Sequence, residues 1–311
     1  MTGPKVSTIQ FNRDFDPQYG TSVQLSPLIR RVVCQNASPF TFTGTGTYIV
    51  GKGNVAVIDP GPDDNEHLDA LLKALDGETV THIIITHTHL DHSPLAEKLK
   101  QKTAAKTYGF GPHGTGLITN TGDVRLDAGG DYDFAPDVEI RDGDVIDGGA
   151  ANETEWRLES VFTPGHTSNH MCFALPQEKA LFSGDHVMAW STSIVAPPDG
   201  RMADYFTSLR KIMQREEEIL WPTHGGPRKD PRPFVRAFLT HRKMREAAIE
   251  RRLEKGDRTI ADIVKAIYSD VDRRLHPAAA MSTMAHIQHL IEQERVATEG
   301  ELSLDGEYWT V

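Results

Sequence analysis

The 311-residue chain has only two cysteines, no long apolar run and no surplus of basic charge. Each scarcity removes a class of protein. Cys34 and Cys172 lie far apart without a partner pattern, which excludes a disulfide framework and fits a reducing compartment. No histidine or helix start frames either one as a nucleophile, and Cys172, inside the apolar stretch 171–175, is expected in the core. No segment approaches the roughly 18 apolar residues that cross a bilayer. The stretch 1–24 is polar and lacks an apolar h-region, so no secretory signal is expected and the cytoplasm is the expected location. Internal repeats and low-complexity tracts are also missing.

The formal charge is −11. It is uneven: from Asp230 onward there are 13 basic and 14 acidic residues, whereas the first 229 residues carry 20 basic and 30 acidic. An acidic first part repels nucleic acid at long range, apart from the field of any bound cation. With 38 % hydrophobic and 25 % charged residues, the composition is that of a soluble globular protein.

Residues 47–50 and 55–59 read as strands of a hairpin around Gly51-Lys52-Gly53-Asn54. Leu68, Leu71, Leu72 and Leu75 have helical spacing behind an N-cap at Asp64 or Asn65. A strand over 82–86 leads into His87-Thr88-His89-Leu90-Asp91-His92, followed by a helix from Ser93-Pro94 to Lys100 with Pro94 in a first helical position. Residues 109–150, rich in glycine and aspartate, read as loops and short hairpins. Strands follow at 158–163, 171–175, 180–183 and 219–221, with a helix at 204–213. Past Pro227, Pro231 and Pro233 come a charged helix over 234–254, an amphipathic helix at 260–268 opened by Thr259 and Asp262, and a third helix from Pro277. The end, 295–311, reads as a short β-ribbon. Three helices and a hairpin predict a winged-helix-like module over 231–311, behind a catalytic domain over 1–230.

Four metal-ligating side chains, His87, His89, Asp91 and His92, fall within six residues at a strand end. Alternation in an extended chain points His87 and His89 toward one ion, and the turn at Leu90 presents Asp91 and His92 to a second. Imidazole and carboxylate together suit zinc, with iron or manganese as substitutes. Three further apolar segments each end in a glycine-flanked ligand: Pro164-Gly165-His166, Gly184-Asp185 and Thr223-His224-Gly225.

His-x-His-x-Asp-His followed by Gly-His, Gly-Asp and Thr-His-Gly elements in this order resembles the metallo-β-lactamase superfamily over about residues 40–230. The tail and the segment Phe40-Thr41-Phe42-Thr43-Gly44-Thr45-Gly46-Thr47-Tyr48 resemble the branch of β-lactamase-like protein 2 endoribonucleases. The resemblance implies an αββα sandwich with two metals at one sheet edge. It assigns His87, His89 and His166 to the first, Asp91, His92 and His224 to the second, and Asp185 to both. It further implies hydrolysis by a metal-bridging hydroxide, oriented by Asp91 as catalytic residue. Glyoxalase II enzymes usually follow Asp-His with x-Gly-Gly, where this chain has Ser93-Pro94-Leu95. Flavodiiron oxidoreductases usually place glutamate at the position of His89.

The leading expectation is therefore a binuclear hydrolase of a small-molecule ester, thioester or lactone. A single-strand endoribonuclease acting on single-stranded RNA is the alternative, and a regulatory or nucleic-acid-binding module without catalysis is the third. His170 is a candidate neighbour of the ligands, His186 is expected to point away, and His113 is a candidate for the mouth. The loop 188–201 is read either as a wall of the substrate pocket or as a plain connection. Arg242, Lys243, Arg245, Arg251 and Arg252 alternate with Glu246, Glu250 and Glu254, the pattern of a solvated salt-bridged face. The C-terminal module is expected to pack on the catalytic domain, its first helix near the cleft, as a cap or as the surface through which a homodimer forms.

Overall fold

The computed structural model describes residues 9–117, 129–148, 156–269 and 272–311. Among them the first sheet runs in chain order through β1 (Val23–Gln24), β2 (Ile29–Val33), β3 (Gly46–Lys52), β4 (Asn54–Ile58), β5 (Thr79–Ile84), β6 (Lys106–Gly109) and β7 (Val138–Glu139). The second holds β8 (Val145–Asp147), β9 (Arg157–Phe162), β10 (Met171–Leu175), β11 (Ala180–Gly184), β12 (Ile219–Pro222) and β13 (Arg228–Lys229). Their facing sides share one core, with Tyr48, Val50, Ile58 and Ile84 against Leu158, Phe173, Phe182 and Trp221. Central strands such as β10 and β11 are buried at every position, so they read as unbroken apolar runs rather than as alternations.

Each sheet buries its other face under helices. α1 (Asn65–Ala74) and α2 (Leu95–Thr103) cover the first through Leu68, Leu71, Leu95 and Leu99. Asp64 caps α1 by accepting from the amides of Glu66 and His67, as its side-chain type predicts. α3 (Met202–Gln214) and the first half of α4 (Pro231–Glu254) cover the second through Phe206, Leu209, Phe234 and Phe238. The result is the expected αββα sandwich. No helix among the described residues is long and apolar enough to cross a membrane.

The second half of α4 belongs to another core. Ile249 and Leu253 pack with Ile260, Ile263 and Val264 of α5 (Ile260–Ile267), with Ile287 and Leu290 of α6 (His276–Glu292), and with the ribbon β14 (Val296–Thr298) and β15 (Tyr308–Thr310). One 24-residue helix thus serves both cores, and a boundary at residue 230 falls where that helix begins.

Three local expectations shift. The β3–β4 turn is tighter than four residues, because Gly51 and Lys52 pair with Val55 and Asn54 and leave only Gly53 at the tip. β5 stops at Ile84 rather than Thr86, since the Thr86 amide donates to the Asp59 carboxylate instead of to a neighbouring strand. Pro94 stands just before the first residue of α2, not within it. Part of the glycine-rich region 109–150 lies outside the described residues; within them it contributes only the short strands β7 and β8.

Candidate metal centre

All the chemistry-bearing motifs follow strands that point the same way. β4 runs parallel to β5, β11 runs parallel to β12, and β9 is antiparallel to β10, which is antiparallel to β11. Their carboxyl ends therefore meet at one edge of the sandwich, bringing together Asp59, the 87–92 run, His166, Asp185 and His224. Two glycines make that crowding feasible. Gly165 has φ +134, and a Cβ there would lie 2.4 Å from the Tyr205 backbone. Gly184 has φ +50, and a Cβ there would lie 2.6 Å from His170 Nε2.

The seven ligand candidates form one cluster. Three groups have ligand atoms within 4.8 Å of one another: His87, His89 and His166; Asp91, His92 and His224; and His87, His92 and Asp185. Asp185 stands between the first two, its Oδ2 at 3.4 Å from His224 Nε2, 3.7 Å from His92 Nε2 and 3.9 Å from His166 Nε2. Asp91 Oδ2 lies 3.1 Å from His224 Nε2.

The imidazoles are oriented from behind. His92 Nδ1 meets Asp59 Oδ2 at 3.0 Å, His166 Nδ1 meets the Ile194 carbonyl at 2.6 Å, and His224 Nδ1 meets the Gly44 carbonyl at 3.1 Å. A proton donated from Nδ1 leaves Nε2 as a lone pair facing the cluster. The Nε2 atoms of His92, His166 and His224 and Oδ1 of Asp185 are buried and make no well-formed hydrogen bond, the Nε2 atoms having only ion-pair approaches to Asp91 and Asp185. Orphaned buried polar atoms each cost about 1–3 kcal/mol, so their convergence fits a cation that would take them as ligands. The donor set, imidazoles and carboxylates without thiolate, suits zinc, iron or manganese.

The electrostatics divide the cluster. Burial and the neighbouring imidazoles push His87 well below its ordinary range, and burial together with His89 brings His166 down to about 4. Burial works the same way on His92 and His224, but the Asp91 and Asp185 carboxylates outweigh it, lifting His92 well above its usual value and His224 to about 10. Burial would raise Asp91 and Asp185, yet the same two imidazoles hold both below the carboxylate range. One half thus offers neutral imidazoles, while the other holds protons that a binding cation must displace.

Asp59 is the residue that sequence reasoning missed. Fully buried, it accepts from the Thr86 amide (2.8 Å), the Thr86 hydroxyl (2.8 Å) and the Thr223 hydroxyl (2.9 Å) besides holding His92. Asp59-Pro60-Gly61 after a strand reads as a turn, and only its positive φ of 50° marks it as special in the fold. His170 sits behind the ligands: its Nε2 accepts from the Asp185 amide at 3.2 Å and its Nδ1 meets the Thr163 hydroxyl at 2.9 Å. His186 is fully buried against Tyr205, and His113 meets the Thr88 hydroxyl at 2.9 Å. The loop after Asp185 is a wall, since Met188, Ile194 and Ala196 line the cavity above the cluster. That cavity is about 700 Å³, with His89, Asp91, His166 and Asp185 in its floor.

An αββα sandwich with histidines and aspartates gathered at one edge defines a class of metalloenzymes. The metallo-beta-lactamase superfamily model matches residues 41–224, and the chain belongs to that superfamily. A beta-lactamase associated winged helix domain matches residues 259–309. The chain is 28 % identical to an atrochrysone carboxyl ACP thioesterase of Aspergillus terreus, over 84 % of this chain and 78 % of that one. It is 27 % identical to the beta-lactamase-like protein 2 homolog of Drosophila melanogaster, over 88 % and 91 %. The structure of a beta-lactamase domain protein from Burkholderia ambifaria shares the fold at a TM-score of 0.76 and 19 % identity, covering 96 % of both chains.

Proposed function

We propose that this metal-dependent hydrolase cleaves thioesters at a site for two divalent cations, zinc by default. The observation that carries the reading is the cluster of seven candidate ligand groups at the floor of a cavity whose lining, among the described residues, holds neither lysine nor arginine. A relative named as a thioesterase over most of both chains supports it. Among the described residues the cavity is lined by no lysine or arginine, and this together with the charge of −11 weighs against the RNA reading.

His87, His89 and His166 would hold one cation, Asp91, His92 and His224 the other, and Asp185 both. Cations there supply Lewis acidity, which acidifies water and polarises an acyl oxygen. The carbonyls of Ile194 and Gly44 and the Asp59 carboxylate keep three imidazoles aimed at the floor. Asp91 is the carboxylate most open to the cavity, with 27 % of its side chain exposed against 9 % for Asp185. It takes a proton from the attacking water and releases it toward the departing sulfur. A C–O bond forms, the C–S bond breaks, and an acid and a thiol result. Thiols have pKa values near about 8.5, so the sulfur leaves with little help from an acid, which suits a floor with one open carboxylate.

Elemental analysis of purified protein should approach two cations per chain. Asp91→Ala should keep its circular dichroism spectrum while thioester turnover falls about 10³-fold. Near-native turnover in the folded variant would sink the assignment of Asp91, and a single cation at saturation would sink the two-cation site.

A further inference from the structure

The cavity has a polar floor and apolar walls. Phe40, Leu90, Met188 and Ile194 come from loops of the sandwich, while Ala278 and Met281 come from α6 of the C-terminal domain. Phe40 and Leu90 stay 55 % and 49 % exposed, leaving large apolar side chains open beside the floor, where an apolar ligand would cover them. The volume, about 700 Å³, is that of a pocket for a sizeable organic group. The charged helix α4, expected near the cleft, instead packs Arg242 on Tyr205 and donates from it to the Ser193 carbonyl, so it props the loop behind the wall.

α6 is fixed, not hung loosely over the opening. Positions 278, 281 and 285 lie along one face at helical spacing. Ala285 is buried in the core that covers the second sheet, and Glu292 pairs with Arg201 beside α3. Ala278 and Met281 on the same face are only partly buried and meet the cavity. An unbranched methionine adapts its shape to what packs on it.

Resting on the thioester reading, we infer that the substrate's acyl group is large and apolar, and that the α6 face carrying Ala278 and Met281 selects it. Met281 is thus a specificity determinant supplied by the winged-helix domain to a site whose ligands all come from the sandwich.

The test uses the zinc-loaded full chain with N-acetylcysteamine thioesters of acetate, hexanoate and decanoate. kcat/KM should rise at least about tenfold from acetyl to decanoyl, as buried methylenes add to binding. Met281→Trp, which fills the cavity, should lower the decanoyl-to-acetyl ratio of kcat/KM about tenfold. If that variant does not fold, Met281→Ala should lose about fivefold on decanoyl alone. Calorimetry with decanoate gives a readout apart from turnover. The native chain should bind it with a negative heat-capacity change, and Met281→Trp should weaken it about tenfold. A flat chain-length profile, or equal losses on all three thioesters in a variant with native melting, overturns the inference and leaves the thioester reading standing. If no thioester is cleaved, that reading falls, and the decanoate titration alone decides the wall: binding that Met281→Trp leaves unchanged, or no binding, overturns it.

Discussion

Among the described residues, the sandwich edge and the contact of α4 with α6 both bury histidines beside carboxylates, and only the first has the geometry of a metal centre. At the sandwich edge, ligand atoms of seven residues converge, and several of them make no hydrogen bond. Where α4 meets α6, Glu246 is also buried, with His289 Nδ1 at 2.6 Å and His286 Nδ1 at 3.5 Å from the same oxygen. There the carboxylate is satisfied by imidazole donors, and the trio is not among the convergent groups found in the described residues. Burial is common to both, and so are orphaned ring nitrogens: His286 Nε2 makes no hydrogen bond, and outside both clusters neither ring nitrogen of His186 does. Convergence of several ligand atoms on one point is what separates a site from a structural knot.

The largest expected effect tests whether orientation from behind matters as much as the ligands do. Asp59→Ala removes no ligand but frees the His92 ring and leaves the Thr86 amide and the Thr86 and Thr223 hydroxyls without their acceptor. Cation affinity at the Asp91, His92 and His224 group should fall about 10- to 100-fold, measured by chelator competition. The matching change in the other cluster, Glu246→Ala, should leave cation affinity unchanged. Equal cation loss in both variants would erase the distinction.

How much of this was legible depended on the range of the contacts. The seven candidate ligands sit in four short motifs whose residue types point to metal chemistry, and the strand ends that carry them are marked by apolar runs and glycine. Asp59 has no such local mark, because its role exists only once β5 lies beside β4 and Thr223 arrives from the other sheet. The same holds for the C-terminal domain. Its helices were readable from periodicity, but an apolar face does not name its neighbour. Hence α4 was expected at the cleft, while Met281 of α6 lines it. The solvated face expected of α4, its basic residues paired with Glu246, Glu250 and Glu254, is corrected by the fold, because Arg242 and Glu246 are buried. Arg242 and Arg245 stack on Tyr205 and Tyr268, Arg252 bonds Asp257, and Glu246 and Glu250 pair with His289 and Arg295.

A middle-sized effect should appear in acid, and in the Glu246 cluster. Burial alone would raise Glu246, but hydrogen bonds from His286 and His289 outweigh it and hold the carboxyl at about 2, against an ordinary 4.5. A depressed carboxyl stabilises the fold above its unfolded value and loses that contribution as pH falls from about 4.5 toward 2. Burial lowers His286 from 6.5 to about 4, so its neutral form adds stability above pH 6.5 that is lost as pH falls toward 4. Both signs agree: packing of α6 on α4 weakens as pH falls below about 6.5. Glu246→Gln should lower stability at pH 7 by about 1–3 kcal/mol and flatten the profile below pH 4.5, while cation content at pH 7 stays native. An unchanged acid melting profile would show that this cluster does not govern the packing.

The smallest effect probes how separately the C-terminal core is built. Thr259 opens α5 by accepting from the Asp262 amide at 3.2 Å and donating to its carboxylate at 2.7 Å. Thr259→Ala should cost about 1 kcal/mol, typical of a lost N-cap. Because α5 packs on α4 and α6 through Ile260, Ile263 and Val264, the loss should register as faster amide exchange in α5 and α6. None of the seven candidate ligands belongs to that core, although Met281 packs on it and also lines the cavity, so cation affinity and acetyl thioester turnover should hold. Decanoyl turnover is the informative exception: it depends on α6 staying in place as a wall, and a drop confined to that substrate would tie the stability of the distant core to the choice of acyl group. Loss of cations in Thr259→Ala would instead mean that the two regions unfold as one unit, and the contrast between site and structural knot would then be one of geometry alone, without an energetic boundary behind it.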